Sequence, residues 1–463
     1  DCVPFCPGKG GGALKGKRIR TGLLGLLAAL TLAGCALTSP VEDLYKLPEL
    51  PPEYRSLSLQ IEAIQAQGAE YAAPTSGTNL QPVQLVDLDG DGVEEAVAFF
   101  RCGAEEKPLK IYIFKAEEDS YRQAAVIEGS GTAIHSIRYV DLNSDGRKEL
   151  LVSWRVETDA QAVSVQAMGV YALENMEPVQ LMVSPYARYE AVDFDGDGRM
   201  ELVVLRGDGT EAGGSAADCY DWEGRGLRLV STAKLSVTVA QLQGMQVGRL
   251  TDGSTAVFVT GLEAESQTVN DILVYQGKEL RNIVLSSATG VSTEVFRVSS
   301  LQPMDIDGDG VTEIPMPIRL PGDSESLVWK IYWRSYSSLG EARSQAITYH
   351  DTANNWYLMI PEEWDWNFTV SPEGVSAVER GATFYSIAGG VKDQPLFTIY
   401  ACTGSNRDKL AAKPGRTILR SQPGTIYTVV YHDAYETWSL ALEPEELAER
   451  FHVIVAQWTT GDN

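Results

Sequence analysis

The sequence predicts a mainly β chain: a β-propeller-type repeat domain of four-stranded blades over residues 55–350, then a small α+β domain over 351–463. Three observations predict it. A nine-residue acidic pattern occurs four times, short apolar runs of strand character flank each copy, and the copies keep a near-constant spacing.

The pattern is D-x-[DN]-x-D-G-x-x-E. The first copy runs from Asp87 through Asp89 and Asp91 to Glu95, and the second from Asp141 through Asn143 and Asp145 to Glu149. The third runs from Asp193 through Asp195 and Asp197 to Glu201, and the fourth from Asp305 through Asp307 and Asp309 to Glu313. Calcium is a hard cation that takes six to eight oxygens at roughly 2.3–2.6 Å. Oxygens at positions 1, 3 and 5 of a tight loop converge on one point, and Gly at position 6 permits the sharp turn. Position 7 offers only its backbone carbonyl, so Val93, Arg147, Arg199 and Val311 all serve there. Position 9 closes the cage with a carboxylate. Up to four calcium ions are expected.

An EF-hand shares positions 1 to 6 but needs a bidentate Glu at position 12 and a helix on each side. Position 12 here is Ala98, Val152, Val204 or Met316. The flanks are short apolar runs such as Ala96–Phe100, Leu150–Trp154 and Leu202–Leu205, which read as buried strands. Each loop therefore joins two strands.

The loops begin at 87, 141, 193 and 305, giving intervals of 54, 52 and 112, the last being twice 56. A degenerate copy lies midway, at Val247–Val259: it keeps an Asp252-Gly253 turn and the following apolar strand but not the other acids, so no calcium is predicted there. In the first unit the strands fall at 82–87, 95–101, 109–115 and 121–127, one blade's worth. A period near 54 with four strands per unit indicates a propeller. Residues 55–65, beginning Arg55-Ser56-Leu57-Ser58-Leu59-Gln60-Ile61, suit a strand that closes the last blade.

The loops and their spacing resemble the FG-GAP/VCBS repeats of integrin-α-like β-propellers, over roughly residues 55–350. The resemblance implies a calcium loop between the first two strands of each blade. It departs from the family at Asn143 and Ser144 in the second unit and in the degenerate fourth, and five units are visible where the family often has seven. The whole chain further resembles lipoproteins of Gram-positive bacteria that carry such repeats.

The N-terminal segment reads as a targeting signal. Lys15, Lys17, Arg18 and Arg20 precede an apolar run from Leu23 to Leu32, and Leu32-Ala33-Gly34-Cys35 follows. That ending resembles a lipobox, which implies that residues 1–34 are a leader and that Cys35 is lipidated. Residues 1–14 lie upstream of the signal and are no part of the predicted fold. Residues 35–54 contain Pro40, Pro48, Pro51 and Pro52 and read as a semi-extended tether. The predicted location is the extracytoplasmic face of the cell membrane, anchored through Cys35. Cys102, Cys219 and Cys402 would remain, too few and too scattered for a disulfide framework or a zinc site. One pair could bridge; buried free thiols are the preferred reading.

The balance of 63 acidic to 38 basic residues, formally −25, argues against nucleic acid or anionic lipid as a partner of the main body. In the C-terminal part, strand-like runs occur at 396–402, 425–431 and 453–456. A helix is expected over 443–451, with Pro444 in its first turn beside Glu445 and Glu446. Trp364 and Trp366 flank Asp365 and suit either a sugar-stacking platform or, preferably, a core. None of the four His stands in a metalloprotease or triad spacing, and there is neither a G-x-S-x-G nor a P-loop. The expected function is therefore a surface binding module for a protein or glycan ligand, with calcium as a structural staple and no catalysis. The alternative is a cell-surface polysaccharide-active hydrolase or lyase built on paired carboxylates.

Overall fold

The computed structural model describes residues 52–454, apart from 104–105, 119, 158–163, 208–213, 264–266, 298–300 and 323–327. The leader, Cys35 and nearly all of the tether lie outside the described residues.

The first element among the described residues corrects an expectation. Pro52–Ala66 is an α-helix, not a strand over 55–65, and it begins inside the segment read as tether. Leu57, Ile61 and Ile64 recur at spacings of four and three and are buried, whereas Leu59 is 61% exposed. The alternation Leu57, Leu59, Ile61 suggested a strand; the helical stripe that includes Ile64 is the pattern that buries apolar surface.

Every strand pairing is antiparallel, and the described strands form six sheets. The first sheet is a meander of Val83–Val86, Glu95–Cys102, Leu109–Glu117 and Ser120–Gly129, with Ala69–Tyr71 added beside Glu95–Cys102. These strands lie where the first unit's strands were expected. The second sheet is Ala133–Val140, Glu149–Glu157, Ser164–Glu174 and Glu177–Pro185; the third is Arg188–Val192, Glu201–Gly207, Ser215–Glu223 and Gly226–Leu235. The fourth contains Leu242–Arg249, Thr255–Glu263, Gln267–Gln276 and Glu279–Asn282, with Glu294–Arg297 paired to its third strand. The fifth runs Ile314–Arg319, Trp329–Tyr336, Ala342–Asp351, Trp356–Ile360, and is completed by Phe451–Val453. The boundary expected at residue 350 thus falls inside the fifth sheet. The sixth orders Phe368–Ser376, Glu379–Ala388, Val391–Thr403, Thr425–Tyr431 and Thr417–Gln422. Short helices at Arg407–Ala411, Asp433–Thr437 and Pro444–Glu449 accompany it. The last of these replaces the longer helix expected over 443–451, and the closing strand starts at Phe451 rather than 453.

The sheets pack face to face in chain order, because the second strand of each repeat is apolar on both sides. Ala96, Ala98 and Phe100 pack under the N-terminal helix with Leu57, Ile61 and Ile64. Val97 and Phe99, on the other face, meet Ile137, Leu150, Val152 and Trp154 of the second sheet. Leu151 then joins Leu202 and Val204 of the third, and Val203 and Leu205 join Val257 and Val259 of the fourth. Ala256 and Phe258 meet Ile314 and Tyr336 of the fifth, and one large cluster with Trp356, Phe384 and Phe397 binds the fifth to the sixth. Continuous apolar runs are what strands covered on both faces require. Among the described residues, no core cluster joins the sixth sheet to the first. The face of the first sheet turned away from the second carries the helix instead.

Phe99 is fully buried between the first two sheets. Phe99→Ala should lower unfolding stability by about 3–5 kcal/mol in denaturant titration, while Leu59→Ala on the exposed helix face should stay within about 0.5 kcal/mol.

Candidate metal centres

The first three acidic loops each connect the first two strands of a four-stranded meander, and the fourth leads from an isolated bridge residue, Met304, into the first strand of the fifth sheet, all in one shared frame. Val86 pairs with Glu95, Val140 with Glu149 and Val192 with Glu201, so position 9 is the first residue of the second strand each time. In the fifth sheet an isolated bridge between Met304 and Glu313 takes that place. Strands flank the first three loops and a strand follows the fourth, where an EF-hand would need helices.

The frame depends on a residue that the motif leaves unspecified. Position 2 is Leu88, Leu142, Phe194 or Ile306, and each is buried. Leu88, Leu142 and Phe194 are members of the cores between sheets. Driving this side chain inward turns its backbone N–H toward the glutamate at position 9. Leu88 N–H donates to Glu95 Oε2 at 2.9 Å and Leu142 N–H to Glu149 Oε2 at 2.9 Å. Phe194 N–H donates to Glu201 Oε2 and Ile306 N–H to Glu313 Oε2, both at 3.1 Å. The signal was present in the sequence as four apolar residues in a row of acids, but the motif treats that position as free.

These four glutamates are at most 3% exposed. The second oxygen, Oε1, of both Glu95 and Glu313 is buried without a hydrogen-bond partner. Burial, reinforced by the neighbouring aspartates, pushes Glu149, Glu201 and Glu313 up to about 7 from the usual 4.5 and raises Glu95 in the same direction. A buried carboxylate with an unpaired oxygen is costly unless a positive charge compensates it.

The aspartates fold the loops. Asp87 accepts from the N–H groups of Gly90 (2.8 Å) and Gly92 (3.1 Å), and Asp193 and Asp305 do the same at Gly196, Gly198, Gly308 and Gly310. Asp141 accepts from Asp145 and Gly146. Positions 3 and 5 each accept the N–H two residues on, in Asx turns: Asp91 from Val93, Asp145 from Arg147, Asp197 from Arg199 and Asp309 from Val311. The Val93 amide helps to hold Asp91 below its usual range, and the Arg199 guanidinium does so for Asp197. Position 6 is Gly in all four loops at φ between 83° and 87°, where a side chain would be strained. Gly90 is constrained twice over, since a Cβ there would lie 2.3 Å from the Gly146 carbonyl oxygen of the next loop.

Three of the loops could hold a metal ion. Asp87, Asp89 and Glu95 bring one carboxylate oxygen each within 4.8 Å of one another, as do Asp193, Asp195 and Asp197, and Asp305, Asp307 and Glu313. Asp91, Glu201 and Asp309 stand in the same loops outside these triples. In the second loop an amide, Asn143, replaces one carboxylate, and no such triple forms among the described residues. Consecutive loops also bond to each other. Lys148 N–H donates to the Leu88 carbonyl and Met200 N–H to the Leu142 carbonyl, both at 2.9 Å, and the Ser144 hydroxyl donates to the Gly198 carbonyl. The first three loops therefore form a continuous row.

The degenerate fourth unit differs in length as well as composition. Arg249 pairs directly with Thr255, leaving five loop residues in place of eight, and Thr255 stands where the other units have glutamate. Leu250 keeps the buried position, with its N–H on the Ser254 carbonyl at 2.9 Å.

The tryptophan pair does not form a shared platform. Trp364 is core, its Nε1–H donating to the Leu440 carbonyl at 2.7 Å, while Trp366 is exposed with the Lys330 ammonium 3.7 Å from its ring centre. Asp365 binds Lys330 and Tyr332. Cys102, Cys219 and Cys402 are free thiols, the latter two buried.

The raised glutamates fix the sign of a pH effect. Between about 4.5 and about 7 the folded chain keeps protons that the unfolded chain has released, so the contribution of these groups to stability declines as pH rises through that window. Melting temperatures in chelator should fall from pH 5 to pH 7.5, and Glu149→Gln, Glu201→Gln and Glu313→Gln combined should flatten the slope. No protein-family model matches the chain, and no curated protein matches it in sequence.

Proposed function

We propose that this protein is a calcium-binding lipoprotein of FG-GAP/VCBS type, held at the extracytoplasmic face of the membrane through Cys35, that binds a protein or glycan ligand at the cell surface. The observation that carries the calcium reading is the buried glutamate at the foot of each loop, above all Glu95 and Glu313 with Oε1 unpartnered beside two aspartates. A hard dication supplies the missing charge, and oxygen is the only donor type in the set. Up to four ions are accommodated: three at the acidic triples, and a weaker one where Asn143 joins Asp141, Asp145 and Glu149.

In this reading the first five sheets are blades of a propeller-type repeat. Four-stranded meanders in chain order, face-to-face packing and a loop between the first two strands of the first four units support it. Calcium acts as a staple: it fixes a row of loops bonded to one another and so stiffens the scaffold that presents the ligand-binding surface. The sixth sheet with its short helices is the α+β element at the far end of the array.

The lipid anchor rests on the basic cluster, the apolar run and Cys35, and the tether of residues 35–54 would set the folded part off the membrane. A binding role fits a rigid array whose most distinctive acids are committed to cations.

At about 100 times its dissociation constant each calcium would add roughly 2.7 kcal/mol. Chelation should therefore lower the melting temperature reversibly, and Asp89→Ala should remove one equivalent of bound calcium by mass spectrometry. An unchanged melting curve in chelator, with no bound calcium, would overturn the metal reading. For the ligand, a glycan array and a hydrolase panel on the same chain separate binding from turnover. Turnover abolished by one carboxylate substitution outside the loops would overturn the binding role.

A further inference from the structure

The first and last acidic loops are near copies. Residues 87–95 and 305–313 share Asp at positions 1, 3 and 5, Gly at 4 and 6, Val at 7 and Glu at 9. Each gathers the carboxylates of positions 1, 3 and 9 within 4.8 Å, and each buries a glutamate with one oxygen unpartnered. The difference lies on the third strand of the sheet. Ala96 pairs with Phe114, which sets Lys115 beside Glu95; Ile314 pairs with Arg334, which sets Ser335 beside Glu313. The second and third units have Ala172 and Asp221 at that place, following the pairings of Leu150 with Tyr171 and Leu202 with Tyr220.

The Lys115 ammonium bonds Asp89 Oδ2 and lies 3.4 Å from Asp91 Oδ2. In the 305–313 loop no ion pair forms among the described residues; the amide of Gln345 donates to Asp309 Oδ2 at 3.2 Å. The ligand positions of the two loops are identical; outside them position 8 is Glu94 in one and Thr312 in the other, and the lysine is the one cation that enters either loop among the described residues.

We propose that Lys115 is a tethered cation that occupies the first loop when metal is absent and sets its calcium affinity below that of the 305–313 loop. This rests on the calcium reading above. The ammonium and the ion compete for the same Asp89 carboxylate, so binding must displace a charge that the chain supplies at high local concentration. An ammonium left within a few ångströms of a dication further weakens binding, by roughly tenfold or more in total. Lys115 also keeps the first loop compensated without metal, beside the sheet that carries the N-terminal helix. The array then responds to calcium in two stages: the 305–313 loop loads first and the 87–95 loop at higher concentration.

Calcium titration of the full chain by flow dialysis tests this with two reciprocal variants. Lys115→Met should shift one equivalent to tighter binding by about tenfold or more, and Ser335→Lys should shift one equivalent to weaker binding by a similar factor. Unshifted isotherms in both variants, with the number of bound ions unchanged, would overturn the role of Lys115 and leave the calcium reading standing. No calcium bound by any form of the chain would overturn the calcium reading itself, and this inference with it. A Lys115→Met chain that misfolds leaves Ser335→Lys to decide, since Ser335 carries no charge into its loop.

Discussion

The fold around each loop depends on one hydrogen bond, from the backbone N–H of the apolar second residue to the buried glutamate of the ninth. The apolar side chain brings the loop down between sheets, and the glutamate is held where the second strand begins. Neither works alone. Without the buried side chain the N–H would face solvent, and without the carboxylate a buried amide would lack an acceptor, at a cost of about 1–3 kcal/mol. The aspartates shape the outer part of the loop around this fixed base through their own backbone bonds.

The same bond joins stability to charge. At Glu95 and Glu313 it uses one carboxylate oxygen and leaves the other unpartnered beside two aspartates, so a core contact produces a concentrated acidic site at its surface end. The degenerate unit shows the two roles separated. Leu250 is still buried and its N–H still bonded, now to a backbone carbonyl, while the loop is three residues shorter and the glutamate has become Thr255. Packing between sheets persists there without any acidic site.

Much of this was legible in the sequence. The period, the four loops and the strands beside them could be read directly because the loops are local and the strands alternate with turns at regular distance. What could not be read depends on partners distant in sequence. Residues 55–65 read as a strand because Leu57, Leu59 and Ile61 alternate; only the face offered by Ala96, Ala98 and Phe100 decides that Leu57, Ile61 and Ile64 are the residues to bury. Lys115 is twenty residues beyond Glu95, and its place in the first loop follows from the cross-strand register that pairs Ala96 with Phe114. The end of the repeat rhythm near residue 350 is local and legible, whereas the continuation of the fifth sheet past it depends on the pairing of Ala342–Asp351 with Trp356–Ile360.

The pairing of Phe451–Val453 with Trp356–Ile360 has a mechanical consequence. Residues 361–450, which hold the whole sixth sheet, leave the fifth sheet by one strand and return to it by the next. They form a closed excursion whose two ends are clasped side by side. A pull on the C-terminal end loads the three-residue strand first, peeling it from Trp356–Leu358 before any strand of the sixth sheet is strained. Loss of that short clasp would open the excursion at its neck and expose the Trp356 and Phe451 rings that now lie 5.6 Å apart.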